Sequence, residues 1–292
     1  MNALILLTGL TLLHGGSAPD TAVTLQRGDR VELRDLRGEV TVDTWDRATL
    51  EISGASGGAR AVSVSRAGNR VLVEAAGRES RHADVRLTLR VPSWVSLGLQ
   101  GRELDVTVHG VGGTVSVQNV SGNIRIAGTG GDLDLSTVEG EIDVTDAHGS
   151  VRAQSQGGDV RLTRVVGDVD AGSGDGDVRL DGVQSASVRA QTLDGDVYFA
   201  GPMVRGGTYT FSVHDGDATL VIPRTTGARV KVATFDGEFS SEFPVTLQHY
   251  TGEGRFEFTL GDGGAEASIE VFDGEIRVQQ SPAGGEGGTR VR

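Results

Sequence analysis

Apolar and polar residues alternate along most of this chain, and from residue 113 the alternation is locked to a glycine. Glycine stands at 113, 122, 131, 140, 149, 158, 167 and 176, a spacing of nine; after one inserted residue the mark falls on Ala186, and Gly195 resumes the count. Two and four residues after each mark lie Val115/Val117, Ile124/Ile126, Leu133/Leu135, Ile142/Val144, Val151/Ala153, Val160/Leu162, Val169/Ala171 and Val178/Leu180. Period-two alternation over five residues, bounded by a glycine turn, predicts a short strand with one buried face. No helical pattern of comparable quality accompanies it.

A nine-residue unit cannot close a coil, so two units are expected per coil. The residue seven after each mark reads Val120, Thr129, Val138, Ala147, Gln156, Val165, Gly174 and Val183. Its valines recur every 18 residues, which predicts that one corner of each coil buries this position and the other does not. The outward residues agree. Stacked 18 apart, with the insertion allowed for, they read Ser116, Asp134, Arg152, Asp170, Arg189 on one face and Arg125, Asp143, Arg161, Arg179, Tyr198 on the other. Charged neighbours are then mostly opposite in sign, worth roughly 0.2–1 kcal/mol per pair on adjacent strands.

Beyond Gly195 the period lengthens. Asp-Gly-Asp/Glu recurs with its glycine at 195, 216 and 237, and Pro202, Pro223 and Pro244 each follow by seven residues. Proline cannot donate to a central ladder, so these positions are expected at corners. All eight phenylalanines and all three tyrosines lie at 198 or later, which predicts a wider coil with a bulkier core. The unit from Ala267 to Val278 is expected to close the stack as a hairpin or cap.

The fold class that follows is all-β: a single-chain parallel β-solenoid, or β-helix, with about 18-residue coils widening to about 21. Residues 113–280 form the repeat domain. Residues 19–112, with alternating runs at 31–42, 48–53, 61–65, 70–74 and 84–91, form an N-terminal β cap continuous with it, covering an otherwise bare strand edge. Residues 281–292 are a Gly-rich tail expected to be disordered. Residues 1–18 have the apolar run and small-residue end of a signal peptide, too short to span a bilayer, so export to periplasm, cell surface or medium is expected.

Composition narrows the function. The chain has 45 glycines, six prolines, no cysteine and 4% aromatic residues, with a net charge of −13. Disulfides and thiolate metal sites are excluded. One lysine, Lys231, and scattered arginines make nucleic acid or anionic lipid a poor partner.

Together these runs resemble a known bacterial family, the putative-adhesin, β-strand-repeat proteins of the cell envelope, a domain of unknown function. The residues that carry the resemblance are Arg37-Gly38-Glu39-Val40-Thr41-Val42 with Trp45-Asp46, Leu87 to Pro92, the tandem Gly-Asp-Val/Ile/Leu units, and Glu270 to Val278. The resemblance implies an envelope-associated β-solenoid with no established enzymatic chemistry and no catalytic residues to carry over.

Candidate chemistry is sparse. Asp175, Asp177, Asp194, Asp196, Asp215 and Asp217 flank turn glycines, and nonapeptide β-rolls bind calcium through such turns. Asp-Gly is also an ordinary turn dipeptide, and most turns here hold one glycine rather than two, so these residues are read first as turn formers. Gly54-Ala55-Ser56-Gly57-Gly58 matches the string of a nucleophile elbow but is followed by a strand pattern, not a helix. The histidines 14, 82, 109, 148, 214 and 249 show no metal-ligand spacing. Trp45 and Trp94 are expected to plug the cap. No cofactor is expected. The function expected is a non-catalytic exported envelope protein, an adhesin or scaffold presenting charged flat faces to an unknown envelope protein or glycan. A calcium-binding β-roll is the alternative. A carbohydrate-active β-helix enzyme would need a cleft built by the segment from Phe243 to Gly264.

Overall fold

The computed structural model describes residues 21–56, 62–76, 84–245, 247–252 and 254–281; the expected signal segment and all but the first residue of the tail lie outside them. Among the described residues there are strands and no helix, and no helix long and apolar enough to cross a membrane. The N-terminal elements are β1 (Thr21–Thr24), β2 (Arg30–Trp45), β3 (Thr49–Ser56), β4 (Val62–Ala67), β5 (Arg70–Ala75), β6 (Val85–Pro92) and β7 (Ser96–His109).

The strands of the regular coils alternate between two faces. The first face holds β8 (Val115–Gln118), β10 (Leu133–Thr137), β12 (Val151–Ser155), β14 (Val169–Gly172), β16 (Ser185–Asp194) and β18 (Met203–Asp215). The second holds β9 (Ile124–Thr129), β11 (Ile142–His148), β13 (Val160–Val166), β15 (Val178–Asp181), β17 (Val197–Ala200) and β19 (Ala218–Ile222). The chain closes with β20 (Ala228–Ser241), β21 (Leu247–Gly252), β22 (Arg255–Leu260) and β23 (Ala265–Gln280).

Every regular strand pairs in parallel with the next strand of its own face. Leu133 meets Val151 and Ile142 meets Val160, an offset of 18. Val169 meets Val188, where the inserted residue is absorbed, and Val188 meets Tyr209, the wider coil. The extra residues of that coil lie around Arg205-Gly206-Gly207, at a register shift opposite Ser185–Ser187. Phe199, Tyr209 and Phe211 fill the widened interior, with ring centroids 5.4 and 5.9 Å apart. Tyr209 stays buried because its hydroxyl donates to the Ser185 carbonyl at 2.6 Å and accepts from the Val204 N–H at 2.8 Å. Pro202, Pro223 and Pro244 lie between strands, as their missing N–H requires.

Two corners join the faces, one following each first-face strand and one following each second-face strand. At both, glycine backbones stack directly. A Cβ added to Gly158 would sit 2.2 Å from the Gly140 carbonyl oxygen, and one added to Gly167 2.3 Å from that of Gly149. The nine-residue glycine is therefore a spacing constraint. The residue after the glycine ties the coils together at the first corner. Oδ1 of Asp159, Asp177, Asp196 and Asp217 accepts the backbone N–H of Asp177, Asp196, Asp217 and Glu275, at 2.8–3.0 Å. Just inside that corner, Ser155, Ser173 and Thr192 donate to the turn carbonyls of Gly140, Gly158 and Gly176.

Valine burial at the seventh position differs from expectation. The 18-residue period holds, but its phase is mixed. Thr129, Ala147, Val165 and Val183 are buried at the second corner, whereas Val120 and Val138 are exposed at the first. The first corner already spends its inner space on the hydroxyl column, and the next residue must point out.

Both ends depart from chain order. β2 lies between β7 and the outer pair β5/β6, and β1, β3 and β4 add antiparallel strands beyond them. At the other end β23 lies between β18/β19 and β20, while β22 and β21 extend β20 antiparallel. Gly216 thus stacks on Gly274, not on Gly237, and the Ala267–Val278 unit is an inner rung rather than a cap. The physical reason is apolar content. Ala265, Ala267, Ile269, Val271, Ile276 and Val278 are all buried, while β20 is exposed from Phe235 to Glu238.

Two measurements check this frame. Gly158→Ala, which adds one methyl where backbone already stands, is expected to lower stability by about 3 kcal/mol, read as the urea midpoint; an unchanged midpoint would refute the stacking constraint. Burial pushes the Asp217 carboxyl up, but the Glu275 N–H and the Arg277 guanidinium outweigh it and hold it below the ordinary carboxylate value. Its contribution is then present above the unfolded pKa of roughly 3.9 and is lost as pH falls through the lower folded value. The stability gap between the native chain and Asp217→Asn should be widest near neutral pH and close in strong acid. A gap independent of pH would contradict the ladder's charge.

Candidate functional site

The first corner is where the sequence-predicted aspartates meet, and the structure divides them into two columns. Asp177, Asp196 and Asp217 follow the glycine and are engaged in the hydrogen-bond ladder. Asp175, Asp194 and Asp215 precede it, are exposed, and stand on successive rungs with Asp273 and Asp236. The stacking order 175, 194, 215, 273, 236 was hidden by the out-of-order insertion of β23. Among the described residues none of these five carboxylates has an ion pair or a side-chain hydrogen bond, and no group of three or more His, Cys, Asp or Glu is placed to hold a metal ion.

Charge along this corner changes from one end to the other. Near the N-terminal end it is an open depression of 530 Å³ lined by both signs. There Arg37 reaches Asp84 at 2.8 Å and Glu103 at 2.7 Å, and Arg86 reaches Glu39 at 2.9 Å. In the middle Arg161 pairs with Asp159 at 2.5 Å and Glu141 at 3.4 Å. Toward the C-terminal end Arg277 serves Asp217 at 2.6 Å and also Glu275.

Beside the unpaired column runs the seventh-position column, now apolar and aromatic. Leu193 is 64% exposed, Phe272 48% and Phe235 78%. His214 stacks on Phe272 at 4.8 Å and 26°, and Phe272 on Phe235 at 4.9 Å and 3°. Those centroid separations equal the strand spacing of a sheet, roughly 4.8 Å, so the backbone ladder itself sets the stack. Sequence reasoning missed this column. The signal was present in the residue before each acid of Leu193-Asp194, His214-Asp215, Phe235-Asp236 and Phe272-Asp273.

The remaining candidates are accounted for locally. His109 Nδ1 lies 2.9 Å from Asp43, and Trp45 Nε1 donates to the Thr49 carbonyl at 2.8 Å. Trp94 packs half-buried against the core, with Arg27 5.8 Å from its ring. Ser56 ends β3, and the residues following it lie outside the described chain. Of the segment from Phe243 to Gly264, β21 and β22 form a hairpin that lengthens the first face. A shallow 280 Å³ depression beside it is lined by Lys231, Arg255, Glu257 and Glu270. At the second corner, Asp146 and Arg164 both hold positive φ, at 56° and 53°, and form a two-pronged ion pair at 2.6 and 2.9 Å. Hydrogen bonds from Arg164 hold the Asp146 carboxyl below its ordinary value.

The outward faces carry the charge ladder expected from 18-residue stacking. Asp134 lies beside Arg152, Arg152 beside Asp170 and Asp143 beside Arg161. Arg152 reaches Asp170 at 2.9 Å, and Arg179 lies 3.9 Å from the ring centroid of Tyr198 on the next rung.

Residues 168–279, from β14 into β23, match the family model described as Toastrack DUF4097. A solved structure of a putative adhesin from Bacteroides fragilis is similar over 88% of this chain and 95% of its own, at 12% identity and a TM-score of 0.45. One of a putative cell adhesion protein from Clostridium sporogenes aligns over 90% of this chain and all of its own, at 11% identity and a TM-score of 0.18. Neither likeness bears on function at these values. None of the curated proteins compared matches the chain. The coils that bear the unpaired acids and the aromatic stack thus lie within the segment that matches the Toastrack DUF4097 model.

Proposed function

We propose that this chain is a non-catalytic, exported envelope protein, an adhesin-like scaffold that presents flat, charge-patterned faces to a protein or glycan partner. The observation that carries the reading is the unbroken parallel stacking of both faces. Among the described residues the nine-residue units carry no loop long enough to wall a cleft, and the longer excursion after β20 continues a face as β21 and β22. Side chains on such faces are held by backbone ladders on both sides, which suits recognition by a rigid, preorganised surface. The match of residues 168–279 to a β-repeat domain of unknown function agrees with the repeat architecture of such a scaffold.

Catalysis by paired carboxylates would need two acids held across a substrate, about 5–10 Å apart in a cleft. The acids of the C-terminal half instead follow one another on successive rungs of one corner. The calcium alternative needs six to eight converging oxygens per ion. Oδ1 of Asp177, Asp196 and Asp217 is already committed to backbone N–H groups.

Two measurements test the proposal. Epitope-tagged full-length chain, expressed in a bacterial host and fractionated, is expected in the envelope or the medium and to be removed by protease added to intact or osmotically shocked cells. Retention in the cytosol would overturn the envelope reading. Thermal unfolding followed by circular dichroism is expected to give the same midpoint in millimolar calcium and in EDTA. A chain that unfolds in EDTA, or a midpoint raised far beyond charge screening by calcium, would overturn the reading of the turn aspartates as structural.

A further inference from the structure

The C-terminal half of the first corner combines two features that a solvated surface rarely keeps together. Three stacked rings and a leucine stand in the open, although Phe235 and Phe272 are side chains that a folded chain ordinarily buries. Directly beside them, on five successive rungs, Asp175, Asp194, Asp215, Asp273 and Asp236 have no counter-charge among the described residues. At the N-terminal end of the same corner Arg37 and Arg86 pair with Asp84, Glu103 and Glu39. In the C-terminal half, Arg277 pairs with Asp217 and Glu275 of the other column and Arg179 with Asp181, so neither reaches these five acids among the described residues.

We propose that this ridge docks a basic, apolar-bearing polypeptide segment of a partner protein, laid in extended form along the corner. The proposal rests on the reading of the chain as a binding scaffold and names which surface binds. Charge complementarity selects the occupant. Carboxylates repeated at the rung spacing of roughly 4.8 Å over five rungs make an anionic strip about 19 Å long, the length of about six extended residues. Arginine fits both columns, because its guanidinium forks onto carboxylates and lies favourably on aromatic rings. Apolar side chains between the cations would cover Leu193, Phe272 and Phe235, and aromatic anchors of this kind carry most of the affinity in an interface. A second copy of this chain would bring acid against acid, given the net charge of −13. Anionic lipid and nucleic acid are repelled for the same reason. A divalent cation lacks convergent ligands here, since the carboxylates run along a line and no metal-holding group exists among the described residues.

The probe is a fluorescein-labelled synthetic peptide of alternating arginine and leucine, with an alternating glutamate and leucine peptide as control, titrated with full-length protein by fluorescence anisotropy. The basic peptide is expected to bind and the acidic one not. The double variant Phe235→Ser with Phe272→Ser should weaken binding by at least about tenfold. The triple variant Asp215→Asn, Asp236→Asn, Asp273→Asn should weaken it and remove most of its salt dependence. These side chains are exposed, and matching melting curves would confirm that each variant folds. Failure of the basic peptide to bind overturns the proposal, as does equal binding by the phenylalanine variant, which would mean unspecific attraction to an acidic surface. Native protein that sediments as a dimer, split by the phenylalanine variant, would also overturn it in favour of a second copy as occupant. None of these outcomes bears on the fractionation experiment, which tests the envelope reading separately.

Discussion

Backbone against backbone at the corners is the contact on which everything else in this molecule depends. The carbonyl of one turn glycine occupies the space where the next would carry a Cβ, as with Gly140 under Gly158 and Gly149 under Gly167. Nothing but hydrogen stands at these four glycines, so their coils approach at the strand spacing and both ladders stay in register. The aspartate after the glycine uses that closeness, since its Oδ1 accepts the backbone N–H of the coil beside it. A larger turn residue would push the coils apart and break the ladders and the carboxylate chain together.

From this follows an interior assembled from small residues. Val, Ile, Leu and Ala from both faces meet between the sheets, and 4% aromatic content suffices because no wide space has to be filled. Where three residues are added per coil, space opens, and Phe199, Tyr209 and Phe211 fill it. The ends obey a different constraint. A parallel ladder leaves a row of unpaired N–H and C=O groups. Each end answers with antiparallel strands, β1, β3 and β4 on one side and β21 and β22 on the other. Each end also places one long strand, β2 or β23, inside the strands that precede or follow it in sequence.

The same stacking turns single positions into columns, so one residue type repeated per coil becomes a continuous surface feature. Acid before the glycine becomes an anionic strip, acid after it becomes a structural ladder, and the position before the acids becomes an apolar and aromatic stripe. Two aspartates one glycine apart in sequence therefore have different chemistry. Asp215 faces solvent without a partner, while Asp217 is held by Glu275 N–H and Arg277.

The sequence by itself determined the coil. Glycine spacing, period-two alternation and the sign of the outward charges specify two faces, 18 residues per coil and the widening at Gly195, because each is a local demand repeated until chance is excluded. It also determined the strand partners of the regular region, down to Asp134 beside Arg152 and Arg179 beside Tyr198. Only the tertiary structure decided what depends on contacts between distant segments. The valine repeat could not tell the inward corner from the outward one, because the hydroxyls that claim the inner space at the first corner pair with carbonyls of another coil. Nor could the equal spacing of Gly195, Gly216 and Gly237 show that β23 displaces β20 from its place in line; the more apolar strand takes the inner position, and burial is a property of the whole stack. That exchange is what sets Phe272 between His214 and Phe235 and Asp273 between Asp215 and Asp236, and so creates the ridge.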